Sequence, residues 1–419
     1  MRALSLLLSI LWFCNGVVAE PSEISFSRAL SEMINTNVDV RVQQTRVSSA
    51  ESQIWAARGV FFPTLSLQAQ EQNSGGAYSA MNTLSEGQVY SAVANWNVFR
   101  SGSDLASLTA SLSTRDFQKL LYEDAHLQAE DKAATALLKL IQDRMRIDVL
   151  KRSETNAQKF LEIAQSRYDM SLLAKEEMEK IAIDANNAEA RRADAELRFN
   201  LSRASVEALL GHFQIKLEWP WEKRLSLEKV KAAIHADAKA ALDARPDYRA
   251  AKASLDSEEA RSRAQFRNLF PTVDVNFTES QVQAPGQSFN AWQGMATLTV
   301  SLWNGYKDYS AYQVQTETKN AAEFRMRQLE RDIAGNVHTS QDNFKLAVQQ
   351  YQSRLKNLSL ARHLLDQDAT RFKIGRVDAN ELNLDLTRVT EAELLAIEGI
   401  NQAHLALMAL EHAFGRAVE

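Results

Sequence analysis

The side chains in this sequence that could take part in catalysis or metal binding are scattered histidines and charged pairs. His404 and His412 are eight residues apart and can share one helix face, but no third ligand accompanies them. Ordinary structural histidines are therefore favoured over a metal site. Runs such as Lys-Glu-Glu at 175–177 are typical of solvated helix faces. Because the sequence contains no HExxH, no Walker phosphate loop and no GxSxG, we predict no enzyme activity, cofactor or resident metal.

The bulk composition indicates a chain built from few, long elements. Its 419 residues include only 14 glycines and 6 prolines, so turns must be few. A net charge of −5 gives no reason to expect nucleic acid as a partner. The mean hydropathy is −0.32, and no apolar run of about 18 residues follows the N-terminus. We therefore predict no membrane-spanning helix in the mature chain.

Residues 1–19 have the pattern of an export signal. Arg2 supplies the positive charge, an apolar stretch follows, and small residues precede a cleavage position after Ala19. Cys14, the only cysteine, lies within this segment. A lipid-modified cysteine is the alternative, but the bulky Phe13 before it argues against lipidation. The mature chain then has no thiol and needs no disulfide.

The mature chain contains an internal repeat of two similar copies. The stretch FFPTLSLQAQE begins at Phe61, and LFPTVDVNFTE begins 208 residues later at Leu269. Further along, RYDMS at 167–171 falls on RFKIG at 371–375 with an offset of 204. Chance hardly produces several such matches in the same order. We therefore predict a first repeat at 20–211, a connecting segment at 212–229 and a second repeat at 230–419.

Each repeat has the same predicted plan of helix, β-hairpin and long helical hairpin. Residues at helical spacing predict the first helix, and the Phe-Pro-Thr motif ends it because proline disfavours helix in the residue before it. The long tracts contain no proline, and one weak point interrupts each of them. The predicted spans are first helices at 24–60 and 230–268, β-hairpins at 64–99 and 272–302, and helical hairpins at 104–211 and 307–415, with weak points at 168–175 and 372–379.

Strict alternation of apolar and polar residues predicts the strands of both hairpins. Leu65 and Leu67, for example, alternate with Thr64 and Ser66. Each run has about 9–11 residues, the length with which a tilted strand crosses a bilayer. Aromatic residues stand near the strand ends, as in the girdles of membrane barrels. These residues are Tyr90, Trp96, Phe99, Trp292 and Trp303.

A half-buried sheet in a soluble protein explains the alternation equally well and stays open as the alternative. Membrane strands are favoured because the good strands come as two hairpins, each inserted between long helices. Four strands cannot close a barrel, and an open edge in lipid leaves backbone groups unsatisfied. We therefore predict that several chains share one barrel.

The last helical segment carries the clearest coiled-coil seam. From Leu386 to Phe414, mostly apolar residues recur at alternating spacings of three and four, near the period of a left-handed coiled coil. Glu393 falls within this seam. It either fixes the register of the helices or faces a solvated interior, and the register role is favoured.

These features together make the chain resemble the TolC family of outer-membrane efflux and secretion channels. The resemblance covers essentially the whole mature chain. It rests on the duplicated helix–FP–strand corner, the paired hairpins, the aromatic-x-hydrophobic-glycine motif at 372–375, and Gly102 and Gly305 after the second strands. The fold class that it implies is mainly α with membrane β. Long antiparallel coiled-coil helices would form an α-barrel, and the two β-hairpins of each chain would form a 12-stranded barrel in a homotrimer.

The resemblance also implies a function and partners. The trimer would be a passive exit duct in the outer membrane, with a periplasmic helical extension. It would work with a periplasmic adaptor protein and an inner-membrane pump of the RND or ABC type, as in tripartite efflux or type I secretion. The segment 212–229 would contribute to an equatorial belt. The alternative class is a periplasmic adaptor or other coiled-coil scaffold, and the cargo is not readable from the sequence.

Site residues follow from the same resemblance. Hairpin tips that meet the adaptor would include Met170, Ser171, Leu172, Ile374 and Gly375. The pore constriction would involve Glu381, its repeat mate Glu177, and the nearby Arg376 and Asp378. Pro63 and Pro271 would mark the helix-to-strand corners. Serine replaces the usual glycine at Ser171, which argues against a sharp left-handed turn there.

Overall fold

The computed structural model of the protein describes residues 23–73, 86–211, 216–218, 238–284, 287–373 and 376–416. The predicted export signal with Cys14 lies outside the described residues, as does most of the connecting segment 212–229. The helices are α1 (Phe26–Thr36), α2 (Val38–Gly59), α3 (Ser103–Asp169), α4 (Lys175–Leu210), α5 (Ala238–Ala244), α6 (Pro246–Arg267), α7 (Lys307–Lys373) and α8 (Ala379–Ala413). The strands are β1 (Glu23–Ser25), β2 (Thr64–Asn73), β3 (Glu86–Phe99), β4 (Lys216–Glu218), β5 (Thr272–Ala284) and β6 (Gln287–Thr299). The mainly helical chain with a small antiparallel sheet is as predicted.

Contacts divide the chain into two compact units. One lies within Met1–Arg41, His126–Asp237 and Asn336–Glu419, and the other within Val42–Ala125 and Ala238–Gly335. Each unit therefore takes segments from both sequence repeats, so the repeats and the compact units are different divisions of the chain.

The sequence repeat is visible in the bounds of the elements. α2 spans 38–59 and α6 spans 246–267, an offset of 208 at both ends. α3 and α7 both contain 67 residues, and α7 begins 204 residues after α3. Since β2 and β5 still keep the offset of 208, the change occurs between the first strand and the long helix. The difference in length therefore lies in the hairpin region, as the change of offset indicated.

The two predicted corners share one hydrogen-bonding pattern. The N–H of Phe62 donates to the carbonyl three residues earlier at 3.0 Å, and the N–H of Phe270 does the same at 3.1 Å. Pro63 and Pro271 follow directly, and a strand begins at the next residue. Each helix therefore ends in a tight turn that proline prevents from continuing as helix.

The first helix of each repeat is broken, where the periodicity predicted one continuous helix. The breaks fall at Asn37 and Arg245, whose ψ angles of 126° and 125° are extended. Asn37 caps α2, because its Oδ1 accepts a hydrogen bond from the N–H of Asp39 at 2.8 Å. Arg245 precedes Pro246, and the residue before proline is driven out of the helical region.

A short parallel strand pair was not predicted. β1 pairs with β4, with Ile24 opposite Leu217. The helix predicted from residue 24 therefore begins at Phe26 instead. The start of α1 is set by backbone pairing with a segment almost 200 residues away in sequence, which a local sequence pattern cannot predict.

The other four strands form one antiparallel sheet in the order β2-β3-β5-β6. Each hairpin pairs within itself, and the pairing of β3 with β5 joins the two hairpins. β2 and β6 are left as the edge strands, each with one row of backbone groups that has no partner strand in the described chain.

The register places the predicted apolar positions of all four strands on one surface, the apolar face. Leu65 lies opposite Ala94, which lies opposite Phe277, so the alternation runs in phase across the sheet. The opposite surface is mainly polar, with Asn95 hydrogen-bonded to Asn276, although Val93, Val282 and Phe289 also fall on it. The apolar face consists of Leu65, Leu67, Ala69, Ala92, Ala94, Trp96, Phe99, Val273, Val275, Phe277, Trp292, Ala296 and Leu298. Glu279 also falls on this face, opposite Trp292.

Two details of the strands differ from the prediction. The register shifts between Asn97 and Phe99, so that Phe99, and not Val98, pairs with Val273. A bulge of this kind inserts one residue and moves the next side chain to the other face. The last strand also ends at Thr299, which pairs with Thr272, so Leu302 lies beyond the sheet.

The compact unit formed by Met1–Arg41, His126–Asp237 and Asn336–Glu419 has a core cluster where α1, α3 and α4 meet. Leu137 of α3 is fully buried against Met33 of α1 and Val206 of α4. Met408 of α8 packs on the same helix against Ala134 and forms a second cluster. These contacts bury the apolar stripe that a long helix needs to be stable. Within the described chain, none of the helices is both long enough and apolar enough to span a bilayer.

Candidate functional site at the helical hairpin tips

The turn after α3 is a complete left-handed cap. The N–H of Ser171 donates to the carbonyl of Tyr168, and the N–H of Leu172 donates to that of Arg167, both at 2.8 Å. This is the Schellman pattern, which requires a left-handed residue, and Ser171 has a φ of 57°. The expectation that serine would prevent a sharp turn is therefore wrong, because two backbone hydrogen bonds offset the modest strain of a non-glycine residue.

The tip of the second hairpin closes with an equivalent hydrogen bond. Ile374 and Gly375 lie outside the described residues, but the N–H of Arg376 donates to the carbonyl of Arg371 at 3.0 Å. This bond is the counterpart of the one from Leu172, displaced by the repeat offset of 204. At the first tip, Met170 and Leu172 expose 59% and 71% of their surface, so the turn presents apolar side chains outward.

In the second hairpin, the helix after the tip, α8, begins with a side-chain N-cap. Its counterpart in the first hairpin, α4, lacks one. Asp378 is the N-cap of α8, and its Oδ1 accepts a hydrogen bond from the N–H of Glu381 at 2.8 Å. The matching position before α4 is Ala174, which makes no side-chain cap. Glu177 and Glu381 occupy the third position of their helices, where a negative charge interacts favourably with the helix dipole.

The predicted gate residues are thus brought together only in part. Asp378 and Glu381 share the first turn of α8, and Glu381 is exposed. Arg376 is also exposed and forms no ion pair with either acid in the part of the chain that the structure describes. Asp378 already has a structural role as a cap, which leaves Glu381 as the free carboxylate of this turn.

Replacing Asp378 with alanine should loosen the start of α8. Loss of an N-cap costs about 1 kcal/mol, so amide exchange in the first turn of α8 should accelerate by roughly fivefold. The reciprocal change Ala174→Asp should slow exchange in the first turn of α4 by a similar factor. Hydrogen exchange read by mass spectrometry measures both, and equal rates in wild type and both variants would contradict the capping assignment.

A small apolar cluster lies behind the tips. Phe160 and Ala164 of α3 pack with Ile181 of α4 and Leu382 of α8, all at most 9% exposed. The cluster joins both helical hairpins, so that the tips are held by one shared core.

Known proteins have similar sequence and architecture. Residues 29–212 match the outer membrane efflux protein family. This part of the chain is therefore similar to that family. A comparison with curated protein sequences finds no match.

Solved structures share the fold of this protein over nearly the whole chain. The Campylobacter jejuni CmeC outer membrane channel has a TM-score of 0.82 at 12% identity and covers 94% of this chain and 86% of its own. The Vibrio cholerae outer membrane protein VceC has a TM-score of 0.80 at 14% identity, with 94% and 97% covered. The open-state Neisseria gonorrhoeae MtrE outer membrane channel has a TM-score of 0.78 at 16% identity, with 94% and 89% covered.

Two buried acids on α7 and α8 are not among the residues predicted from the sequence. Asp368 and Asp385 are 4% and 1% exposed, and each is paired with an arginine three residues later at 3.1 and 2.8 Å. At the offset of 204 their repeat mates are Ala164 and Ile181, both in the apolar cluster. An acid aligned with a core residue of the other repeat is the signal that could have found them.

Glu393, the acid in the seam, is held by arginines from two other helices. Its carboxylate contacts Arg152 of α3 at 2.9 Å and Arg362 of α7 at 2.6 Å. Burial raises the pKa of Glu393, but the hydrogen bonds and charges of Arg362 and Arg152 outweigh it and lower the pKa below its usual value. A carboxylate that joins three helices at fixed positions supports the register role over the solvated one.

A second ion pair lies nearby on the first hairpin. Arg192 of α4 contacts Glu154 of α3 and Glu196 of its own helix, each at 2.6 Å. Glu154, followed by Glu196, raises the pKa of Arg192, so this guanidinium stays charged. The ion pairs of Arg192 and Glu393 thus link α3 to α4, α7 and α8.

The two histidines considered as ligands do not assemble a metal site with other residues. Among the described residues, no group of three or more His, Cys, Asp or Glu is arranged to hold a metal ion. Burial lowers the pKa of His404, so its imidazole is neutral near pH 7.

Proposed function

We propose that the chain is one subunit of a passive, homotrimeric exit duct in the outer membrane, with a helical extension in the periplasm. The duct serves a tripartite efflux pump or a type I secretion system. Energy comes from an inner-membrane pump of the RND or ABC type, and a periplasmic adaptor links the pump to the duct. The match of residues 29–212 to the outer membrane efflux protein family supports this assignment.

The observation that carries the proposal is the four-stranded sheet with one apolar face and two unpaired edges. An apolar face of this extent suits lipid better than water. In lipid, however, the free edges of β2 and β6 would leave backbone groups unsatisfied. Pairing β6 of one copy with β2 of the next removes every edge, and three copies give a closed barrel with an even number of strands.

The hairpin tips are the surface proposed for the adaptor. Met170 and Leu172 present exposed apolar side chains on a turn fixed by backbone hydrogen bonds. Ser171 between them holds the left-handed geometry, and Ile374 and Gly375 are proposed to act in the same way at the second tip. A rigid, partly apolar turn suits a protein partner because little conformational entropy is lost on docking.

The gate is proposed to rest on Glu381, with Glu177 and Arg376 on the neighbouring turns. Three exposed Glu381 carboxylates around one pore would attract divalent cations, which reduce conductance. Glu381→Ala should therefore weaken block by divalent ions in planar-bilayer recordings. Asp378→Asn is the matched control, because asparagine also caps helices well while removing the charge. Unchanged block in Glu381→Ala would remove this residue from the gate.

The experiment that tests the function is the native mass of the protein extracted from outer membranes in mild detergent. The full chain is 47.0 kDa. After signal cleavage a subunit would be about 45 kDa and a closed trimer about 135 kDa. A trimer confined to the outer-membrane fraction is expected. A monomer or dimer that is stable without detergent would favour the alternative, a soluble periplasmic adaptor or scaffold.

A further inference from the structure

A cavity of about 440 Å³ lies at the second helix-to-strand corner, between the end of β3 and the last turns of α6. Both cationic and apolar side chains line it. Its lining includes two arginines and four apolar residues, Arg263, Arg267, Phe99, Phe266, Phe270 and Pro271.

The two arginines are positioned to act together. Arg263 and Arg267 are four residues apart on α6 and therefore share one helix face. Neither is paired with a carboxylate among the residues that the structure describes, although Glu259 stands one turn before Arg263. Arg267 Nη1 donates only to the carbonyl of Ser101, at 3.5 Å. Two guanidinium groups without a counter-charge form a site for an anion.

The approach of Arg267 to the chain after β3 depends on Gly102. A Cβ atom at this glycine would stand 2.0 Å from Arg267 Nη1, and Gly102 has a φ of 80°. The backbone conformation of this position favours glycine, and any larger residue would force the Arg267 side chain to move.

The apolar side of the cavity continues into the apolar face of the sheet. Phe266 and Phe270 meet edge to face with centroids 5.4 Å apart. Phe99 pairs with Val273, which begins the apolar face. The arginines therefore line the same cavity as aromatic residues that adjoin the apolar face, a combination that suits a lipid with a charged headgroup and an acyl chain.

The other corner of the same chain lacks this arrangement. At the offset of 208, Trp55 stands in place of Arg263, and Gly59 in place of Arg267. The single arginine there, Arg58, lies over the ring of Trp55 at 5.1 Å from its centroid. The paired arginines are therefore a feature of the second corner and not a general property of the repeat.

We propose that this cavity binds the phosphate of an anionic membrane phospholipid, with an acyl chain lying along Phe99 and Phe270. Guanidinium groups match phosphate oxygens with paired hydrogen bonds, and Arg263 is free to supply them. A zwitterionic choline headgroup fits less well, because its positive charge would approach the two arginines. The inference rests on the proposed placement of the sheet in a membrane.

Native mass spectrometry of the detergent-extracted trimer, titrated with phosphatidylglycerol or phosphatidylcholine, tests the proposal. We expect the wild type to retain phosphatidylglycerol about tenfold more strongly than phosphatidylcholine. Arg263→Gln should weaken retention, and the double variant with Arg267→Gln should abolish the preference. Arg58→Gln, at the other corner, is the matched control and should retain the wild-type preference. Millimolar inorganic phosphate should not displace the lipid if the acyl chain contributes.

The outcomes separate this proposal from the proposed function. An intact trimer with equal retention of the two lipids, or with unchanged retention in the double variant, would overturn the lipid site alone. Displacement by inorganic phosphate would overturn the assignment of a lipid in favour of a free anion. Absence of the trimer in the wild type would overturn the proposed function instead.

Discussion

Replacing Ala296 with arginine is expected to cost about 2–4 kcal/mol of trimer stability, because the guanidinium would enter the middle of the lipid-facing band. Ala296 lies on the apolar face opposite Val275. It is four residues from Trp292 at one end of this band and three residues from the level of the corner, where Thr299 pairs with Thr272. The trimer fraction of membrane extracts during thermal denaturation measures the effect.

The neighbouring residues provide matched controls for this variant. Thr297 faces the polar surface opposite Asp274, so Thr297→Arg should be tolerated. Leu298 is on the apolar face but one row nearer the corner, so Leu298→Arg should have a smaller effect than Ala296→Arg, because the cost falls toward the interface. Equal defects for Ala296→Arg and Thr297→Arg would mean that the apolar face does not contact lipid.

Replacing Glu393 with alanine is expected to cost about 2–3 kcal/mol, because hydrogen bonds to charged groups contribute at this level and two arginines lose their partner. The expected loss of stability is smaller than that for a fully buried ion pair, since Arg152 and Arg362 are 61% and 58% exposed. The change should also weaken the register between α8 and its neighbours. Thermal unfolding and protease sensitivity of the helical hairpins would measure these effects. Glu398→Ala, which removes a more exposed acid of α8 paired with Arg354, is the control and should cost much less.

The contribution of Glu393 should depend on pH in a defined direction. Its pKa in the folded protein is lowered, so its stabilising effect is fully present above the usual glutamate value of about 4.3. The effect is lost as pH falls through the lowered pKa of the folded state. The difference in unfolding free energy between wild type and Glu393→Gln should therefore be constant near neutral pH and shrink below about pH 4. A difference that grows on acidification would contradict the ion-pair assignment.

Part of the tip geometry was readable from local sequence, and part was not. Asp378 followed three residues later by Glu381 is a capping-box pattern that sequence alone displays. The left-handed turn at Ser171 was misjudged, because residue preference was weighed without the two hydrogen bonds that complete the cap. The burial of Asp368 and Asp385 can be inferred only by aligning the two repeats, since an acid on a single helix is otherwise expected to be solvated.

Local sequence patterns suffice to predict the repeat, the corners at Pro63 and Pro271, the alternation of the strands and the long proline-free helices. Each of these depends on residues close together in the chain, where proline restriction and side-chain periodicity act directly. Tertiary structure decided the pairing of β3 with β5, the parallel pair of β1 and β4, and the contacts of Glu393 with two other helices. These join segments about 30 to 240 residues apart, so packing and backbone pairing, and not local preference, fix them.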